Sequence, residues 1–302
     1  MDLMHYILLP QNWSLASAVI LFVLLGVFWI WFRPGIRKML SMTLALSLIY
    51  LATASPLAHL RDFGLHSITM IQQVILLLIV PVFLWSAVPL SNKSEKEIKK
   101  GHGPSTKAVL LAWFTGAVGM WGLHFWSAAK LSSETGLAIC GITAGNTPGW
   151  IIATPDWLIM LLLLICGMIF LKPVFHPDLS RRISPLRSVI FLFTSCVSCS
   201  ILGLWVAFSA ASASIEHAAP LLTVLRNPIP MSVRSDQEFA GMIMWVPGCI
   251  FYVAASLHIL IKWMDSRNEA LFGNEKSLLV KGAAGNSEEI IEKNITENKN
   301  RL

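Results

Sequence analysis

Seven long apolar runs, separated by short polar stretches, constrain this chain more than any other feature of it. A run of roughly 18 or more apolar residues is long enough to cross a hydrocarbon core of about 30 Å as a helix. Inside lipid the backbone must satisfy its own hydrogen bonds, which leaves helices or a closed barrel. A barrel would show alternating segments of about 10 residues, and the chain has none. Charged residues make up only 13% of the 302 residues, against about 25% in a soluble domain. The expected fold class is all-α: a polytopic bundle of seven transmembrane helices over residues 1–264. A polar tail, expected to be partly disordered, occupies residues 265–302.

The spans are predicted at Trp13–Phe32, Met39–Ala58, Leu65–Leu90, Ala108–Trp126, Trp157–Phe175, Ser188–Ala210 and Phe239–Trp263. Pro81 is expected to kink the third, and Lys172 to snorkel from the end of the fifth. The first twelve residues carry no Lys or Arg, so a cleaved signal peptide is not expected and the first run is retained. The segments between spans alternate in positive charge. Arg33, Arg37 and Lys38 follow the first span, whereas Arg61 alone follows the second. Five lysines follow the third and Lys130 alone follows the fourth. Of the 23 Lys and Arg residues, 19 fall on one side and four on the other. The basic side is the cytoplasmic one, which puts the N-terminus outside and the C-terminus in the cytoplasm of a plasma (inner) membrane. The basic residues form no face of their own, so the net charge of +6 does not imply nucleic acid. No internal repeat supports an inverted-repeat transporter.

No P-loop, HExxH, GxSxG or paired-carboxylate pattern occurs, and no enzymatic chemistry is expected. Polar groups near the outer ends of the spans are the functional candidates. His66 with Met70, and Met120 with His124, are each spaced i, i+4 and so share a helix face. The third and fourth spans run antiparallel. Both histidines therefore fall at the outer boundary, with both methionines one turn deeper. Imidazole and thioether ligands suit Cu(I); the plainer alternative is interfacial histidines over gap-filling methionines. Cys196 and Cys199 form a CxxC at mid-membrane depth, near the levels of Cys166 and Cys249. Four thiols at one level would bind a soft metal, but apolar burial disfavours the thiolate, and structural cysteines are the expectation. His59 and His217 are candidate extra ligands. Asp62, Asp156, Glu216, Asp236 and Glu238 are outer carboxylates within reach of Arg61, Arg226 and Arg234. Two long outer loops, Ser127–Asp156 and Ala211–Glu238, suggest that the outer face carries the specific function.

The stretch from Asp236 to Gly248 resembles the last-helix signature of the CtaG-like cytochrome c oxidase assembly family. Asp236, Gln237, Gly241, Met244, Trp245, Pro247 and Gly248 match it, and Ala240 replaces a glycine. Ser55-Pro-Leu-Ala58, Met70-Ile-Gln72 with the following leucine-rich run, and Leu123-His124 are similar to other family segments. The resemblance covers about Trp13–Trp263. It implies a role in maturing a respiratory oxidase, with copper delivery or insertion on the outer side and oxidase subunits as partners. Two family motifs depart here. Thr69 and Gln73 stand where the family carries histidines on the third span, and Thr154-Pro-Asp-Trp157 stands where it carries a histidine pair near the fifth. Three readings stay open: a copper-handling assembly factor, a scaffold or accessory subunit without metal, and a haem-binding subunit with His66 and His124 as axial ligands.

Overall fold

The computed structural model describes residues 9, 13–63, 65–89, 104–136, 138–143, 145, 147–209 and 232–299. Among these, seven helices are long and apolar enough to cross a membrane. They are α1 (Leu15–Phe32), α2 (Ile36–Ala54), α3 (His66–Ala87), α4 (Thr106–Thr135), α5 (Asp156–Phe175), α6 (Pro185–Ser209) and α7 (Val233–Lys299). No strand occurs among the described residues, only an isolated bridge between Ile139 and Ile142. The chain divides into two compact units, Met1–Ala255 and Ser256–Leu302. In the second, the backbone of α7 is helical through Lys299, and the Arg267 guanidinium lies 5.2 Å over the Trp263 ring.

Within the first unit α3 is the central helix. It packs against α2, α4 and α5, and 61% of its apolar window is buried, against 6% for α1. The apolar side chains of α1, among them Phe22, Trp29 and Trp31, point outward, as lipid solvation requires. One end of the bundle collects the starts of α1, α3 and α7 with the finishes of α2 and α4. The Ser14 amide donates to the Ala54 carbonyl there (3.2 Å), and the Gln72 amide to the Ala52 carbonyl (2.8 Å). We call this the histidine end.

Pro81 is absorbed without ending α3. A π-helical turn at Ile75–Ile79 precedes it, which spares the proline ring a clash with the preceding turn. The carbonyl of Leu77 is left on the surface facing Gly167 of α5; a side chain at Gly167 would collide with that carbonyl and with the Pro81 ring. Gly116 and Gly119 of α4 lie against Phe170 and Cys166 of α5, where a Cβ would collide with those side chains. Gly203 of α6 and Gly241 of α7 face each other backbone to backbone: a Cβ on Gly241 would meet the Gly203 carbonyl at 2.6 Å. Small residues at such crossings let helices pack closely where lipid supplies no hydrophobic drive.

α4 runs nine residues beyond the predicted Trp126, into what reads in the sequence as the first outer loop. Of these, the polar Ser127, Lys130 and Ser132 are buried, whereas Glu134 is exposed. Ser132 donates to the Ile142 carbonyl (3.0 Å), and Lys130 to the Thr154 carbonyl (2.5 Å). Lys172, near the end of α5, is exposed. Ala210 and residues 211–231 of the second outer loop, with Glu216, His217 and Arg226, lie outside the described residues, as do Leu90 and His102.

Gly241→Leu is expected to lower the melting temperature in detergent, with a cost of roughly 1–3 kcal/mol for overpacking. Gly26→Leu, on the open face of α1 where a Cβ meets nothing within 4 Å, is expected to leave it unchanged. Equal effects would mean that the α6–α7 crossing does not depend on the missing side chain.

Candidate functional site

His66 is the first residue of α3, and His124 lies three turns before the end of α4. Both are buried, at 1% and 0% exposure, and their ring centroids are 5.4 Å apart. Met70 and Met120, one turn deeper on the same two helices, are buried as well. A third group joins the histidines. The Cys140 sulfur, 4% exposed, lies 3.5 Å from the Nε2 atom of His66 and 3.5 Å from that of His124. The three ligand-capable atoms all fall within 4.8 Å of one another.

Cys140 reaches this position through a two-residue turn. Ile139 and Ile142 exchange both backbone hydrogen bonds (3.1 and 2.9 Å), and Cys140 and Gly141 between them have φ values of 51° and 79°. Positive φ at both central residues is the pattern of a type I′ turn, which favours Asn or Gly at the first position. Cysteine there carries backbone strain of the kind that gathers at functional sites. Burial pushes the Cys140 thiol up to about 12, with a hydrogen bond involving Ser209 at the end of α6 working the other way.

The residues around the site are held by α7. Asp236, in its first turn, accepts from the amide of His66 (2.6 Å), the amide of Ser67 (3.3 Å) and the Ser67 hydroxyl (2.5 Å). It thus caps α3 from a different helix, supplying the acceptors that the first amides of a helix otherwise lack. The neighbouring Gln237 donates to the Ala138 carbonyl (2.8 Å), two residues before Cys140. A separate cluster flanks the site. Asp156 accepts from Arg61 and from Lys130 through one oxygen, each at 2.8 Å. Both cations are 5% exposed, so the carboxylate balances charge that is nearly out of water. Arg234 pairs with Glu238 on an exposed face of α7 (3.0 Å).

Several polar atoms here are buried with no hydrogen-bond partner: Nδ1 of His66 and of His124, Oγ1 of Thr69, and both amide atoms of Gln73. His66, Thr69 and Gln73 lie on one face of α3, at spacings of three and four. Buried polar atoms normally find partners, and a group of them without any calls for a functional explanation. Thr69 and Gln73 are the two positions where histidines were expected from the resemblance.

The mid-membrane cysteines do not converge. The sulfurs of Cys196 and Cys249 are 3.2 Å apart, whereas Cys199 donates to the Met244 carbonyl (3.2 Å) and Cys166 faces Gly119 across the α4–α5 crossing. The side chains of His59 and Asp62 lie outside the described residues, and His258 belongs to the second unit.

Residues 33–266 match the model of the cytochrome c oxidase caa3 assembly factor family, Caa3_CtaG. The chain belongs to this family. No curated protein matches it, and no solved structure does. The family's last-helix residues have distinct places in this structure. Asp236 and Gln237 hold the two elements that carry His66 and Cys140. Gly241 sets the α6–α7 contact, Met244 is buried, and Gly248 makes room for the Cys199 sulfur. Trp245 and Pro247 lie on the exposed side of α7, and Gln72 ties α3 to α2.

Cys140 is the site residue that sequence reasoning did not single out. Its signal was present: it is the one cysteine outside the apolar runs, followed directly by glycine.

Asp236→Ala is expected to destabilise the protein by about 1–3 kcal/mol, the cost of leaving buried donors unpaired. Glu238→Ala, two residues on at an exposed ion pair, is expected to change stability by less than about 1 kcal/mol. Thermal unfolding of the two variants side by side checks this; equal melting temperatures would contradict the capping role.

Proposed function

We propose that this assembly factor serves oxidase biogenesis by handling copper at the histidine end, with the ion as its cargo. His66 and His124 bind it, and Met70 and Met120 pack one turn deeper beneath the site. The observation that carries this reading is the meeting of two fully buried imidazoles at one point, each with its Nε2 directed at the same neighbour. Imidazole and sulfur donors suit Cu(I), and the carboxylate-rich surroundings that a hard cation prefers are missing from the ligand set.

Counted between the spans of the sequence, 19 of the 23 Lys and Arg residues fall on one side and four on the other, the side to which the sequence assigns His66 and His124. That asymmetry supports an outer position for the site, in the plasma membrane, where it faces the oxidase subunits that receive the ion. The close packing favours an ion over a haem. Cys140 stands 3.5 Å from both rings, where a macrocycle held between two axial histidines would need an open slot. No residue is assigned a catalytic role.

The test is a titration of the purified protein with Cu(I) against a competing chelator. One equivalent is expected to bind, and His66→Ala/His124→Ala is expected to weaken it by about 100-fold or more, beyond the range set by outer-shell partners. Failure of the wild type to bind would overturn copper handling and leave a scaffold without metal as the role of the family fold here.

A further inference from the structure

We propose that Cys140 is the third ligand of the site, which makes it a trigonal two-imidazole, one-thiolate centre selective for a monovalent soft cation. This rests on the copper reading above and specifies its coordination chemistry.

The geometry comes first. Imidazole nitrogen and thiolate sulfur bind transition-metal ions at about 2.0–2.3 Å. Three such donors around one ion are then about 3.6 Å apart. The Cys140 sulfur is 3.5 Å from each Nε2, and the full triad fits within 4.8 Å. An ion at the centre requires small rotations of side chains and no movement of helices.

The charge comes next. Binding displaces the Cys140 thiol proton to solvent; two neutral imidazoles and one thiolate then carry a single negative charge, which one monovalent cation cancels. A divalent ion would leave a net positive charge in a buried site, at the cost that burial of unpaired charge brings. The nearest carboxylate does not alter this balance through ligation, because Asp236 is committed to the first amides of α3 and to Ser67. Three-fold coordination in a buried pocket also suits Cu(I) better than zinc, which takes four ligands in its structural sites.

The backbone supplies an independent reason. Nothing in the turn itself favours cysteine at φ 51°, where glycine or asparagine is the ordinary choice. The turn is nonetheless anchored on both sides. Gln237 holds Ala138, and Ser132 holds the carbonyl of Ile142. A strained residue held by two anchors, with its sulfur 3.5 Å from the Nε2 atoms of two buried histidines, fits a ligand position.

Two variants separate ligation from structure. Cys140→Ser keeps the size of the side chain. Cys140→Gly removes it and relaxes the turn, so its melting temperature is expected to equal or exceed that of the wild type. Both are titrated with Cu(I) against the same chelator, with excess Zn(II) as competitor, beside His66→Ala/His124→Ala and Met70→Leu/Met120→Leu. Copper-edge X-ray absorption of the loaded wild type reports the donors.

The expected result is a loss of about 100-fold or more in Cu(I) affinity for both Cys140 variants. The methionine variant is expected to be near wild type, the spectrum to show nitrogen and sulfur donors together, and bound Cu(I) to resist displacement by Zn(II). Wild-type affinity in both Cys140 variants, with loss in the histidine variant, would overturn the thiolate ligand and leave the histidine site standing. Loss in the methionine variant instead would also overturn it, by moving the sulfur donor to a thioether. Wild-type affinity in the histidine and cysteine variants alike, or no binding by the wild type, would overturn both readings.

Discussion

The carboxylate of Asp236 is the contact on which the histidine end depends. It joins the start of α7 to the start of α3, two places where unpaired amides and the positive ends of helix dipoles accumulate. The carboxylate accepts from the first amides of α3 and sits in the first turn of α7, where a negative charge is favourable. In a bilayer no water stands ready to take over that role, so the first amides of α3 depend on an acceptor brought by another helix. The next residue, Gln237, holds the Ala138 carbonyl and with it the turn that presents Cys140. Two adjacent residues therefore set the relation between a helix carrying one candidate ligand and a loop carrying another. That gives a physical reason for an Asp-Gln pair at the head of the last helix.

Close approach of helices does the corresponding work deeper in the bundle. The π-helical turn before Pro81 frees the Leu77 carbonyl, and Gly167 lets α5 lie against it. Gly116 and Gly119 let α4 lie against Phe170 and Cys166 of α5, and α4 in turn carries Met120 and His124. Side chains at these glycines would push α4 and α5 apart and, with them, separate His124 from His66. Tight crossings far from the histidines are in this sense part of the site. The Arg61–Asp156–Lys130 cluster adds a lock between the segment before α3, the end of α4 and the start of α5.

The seven helices were legible because length and apolarity alone decide what crosses a bilayer. The meeting of His66 with His124 was legible too, since i, i+4 spacing and antiparallel order put both at one level. What escaped was what the backbone does outside regular helices. Cys140 lies in a left-handed turn, where no periodicity marks the direction of a side chain. The last turns of α4 escaped because Lys130, Ser132 and their neighbours are polar, and only the folded loop shows that they are buried and partnered. Asp236 stood out as an outer carboxylate and as the head of the last-helix signature, but its cap on α3 did not, because its partners are about 170 residues away in the chain and no local pattern signals a cap supplied by another helix. The four mid-membrane thiols shared a depth but not a direction: only Cys196 and Cys249 meet.

The proposed copper handling has its most direct test in the oxidase itself. Copper per oxidase would be measured in membranes from cells that carry His66→Ala/His124→Ala in place of the wild-type chain, grown at limiting copper. The expected result is oxidase polypeptide present but depleted of copper, and restored when copper is supplied in excess. Full metallation of the oxidase at limiting copper, with the variant chain present at normal abundance, would contradict a role for the two histidines in carrying the ion.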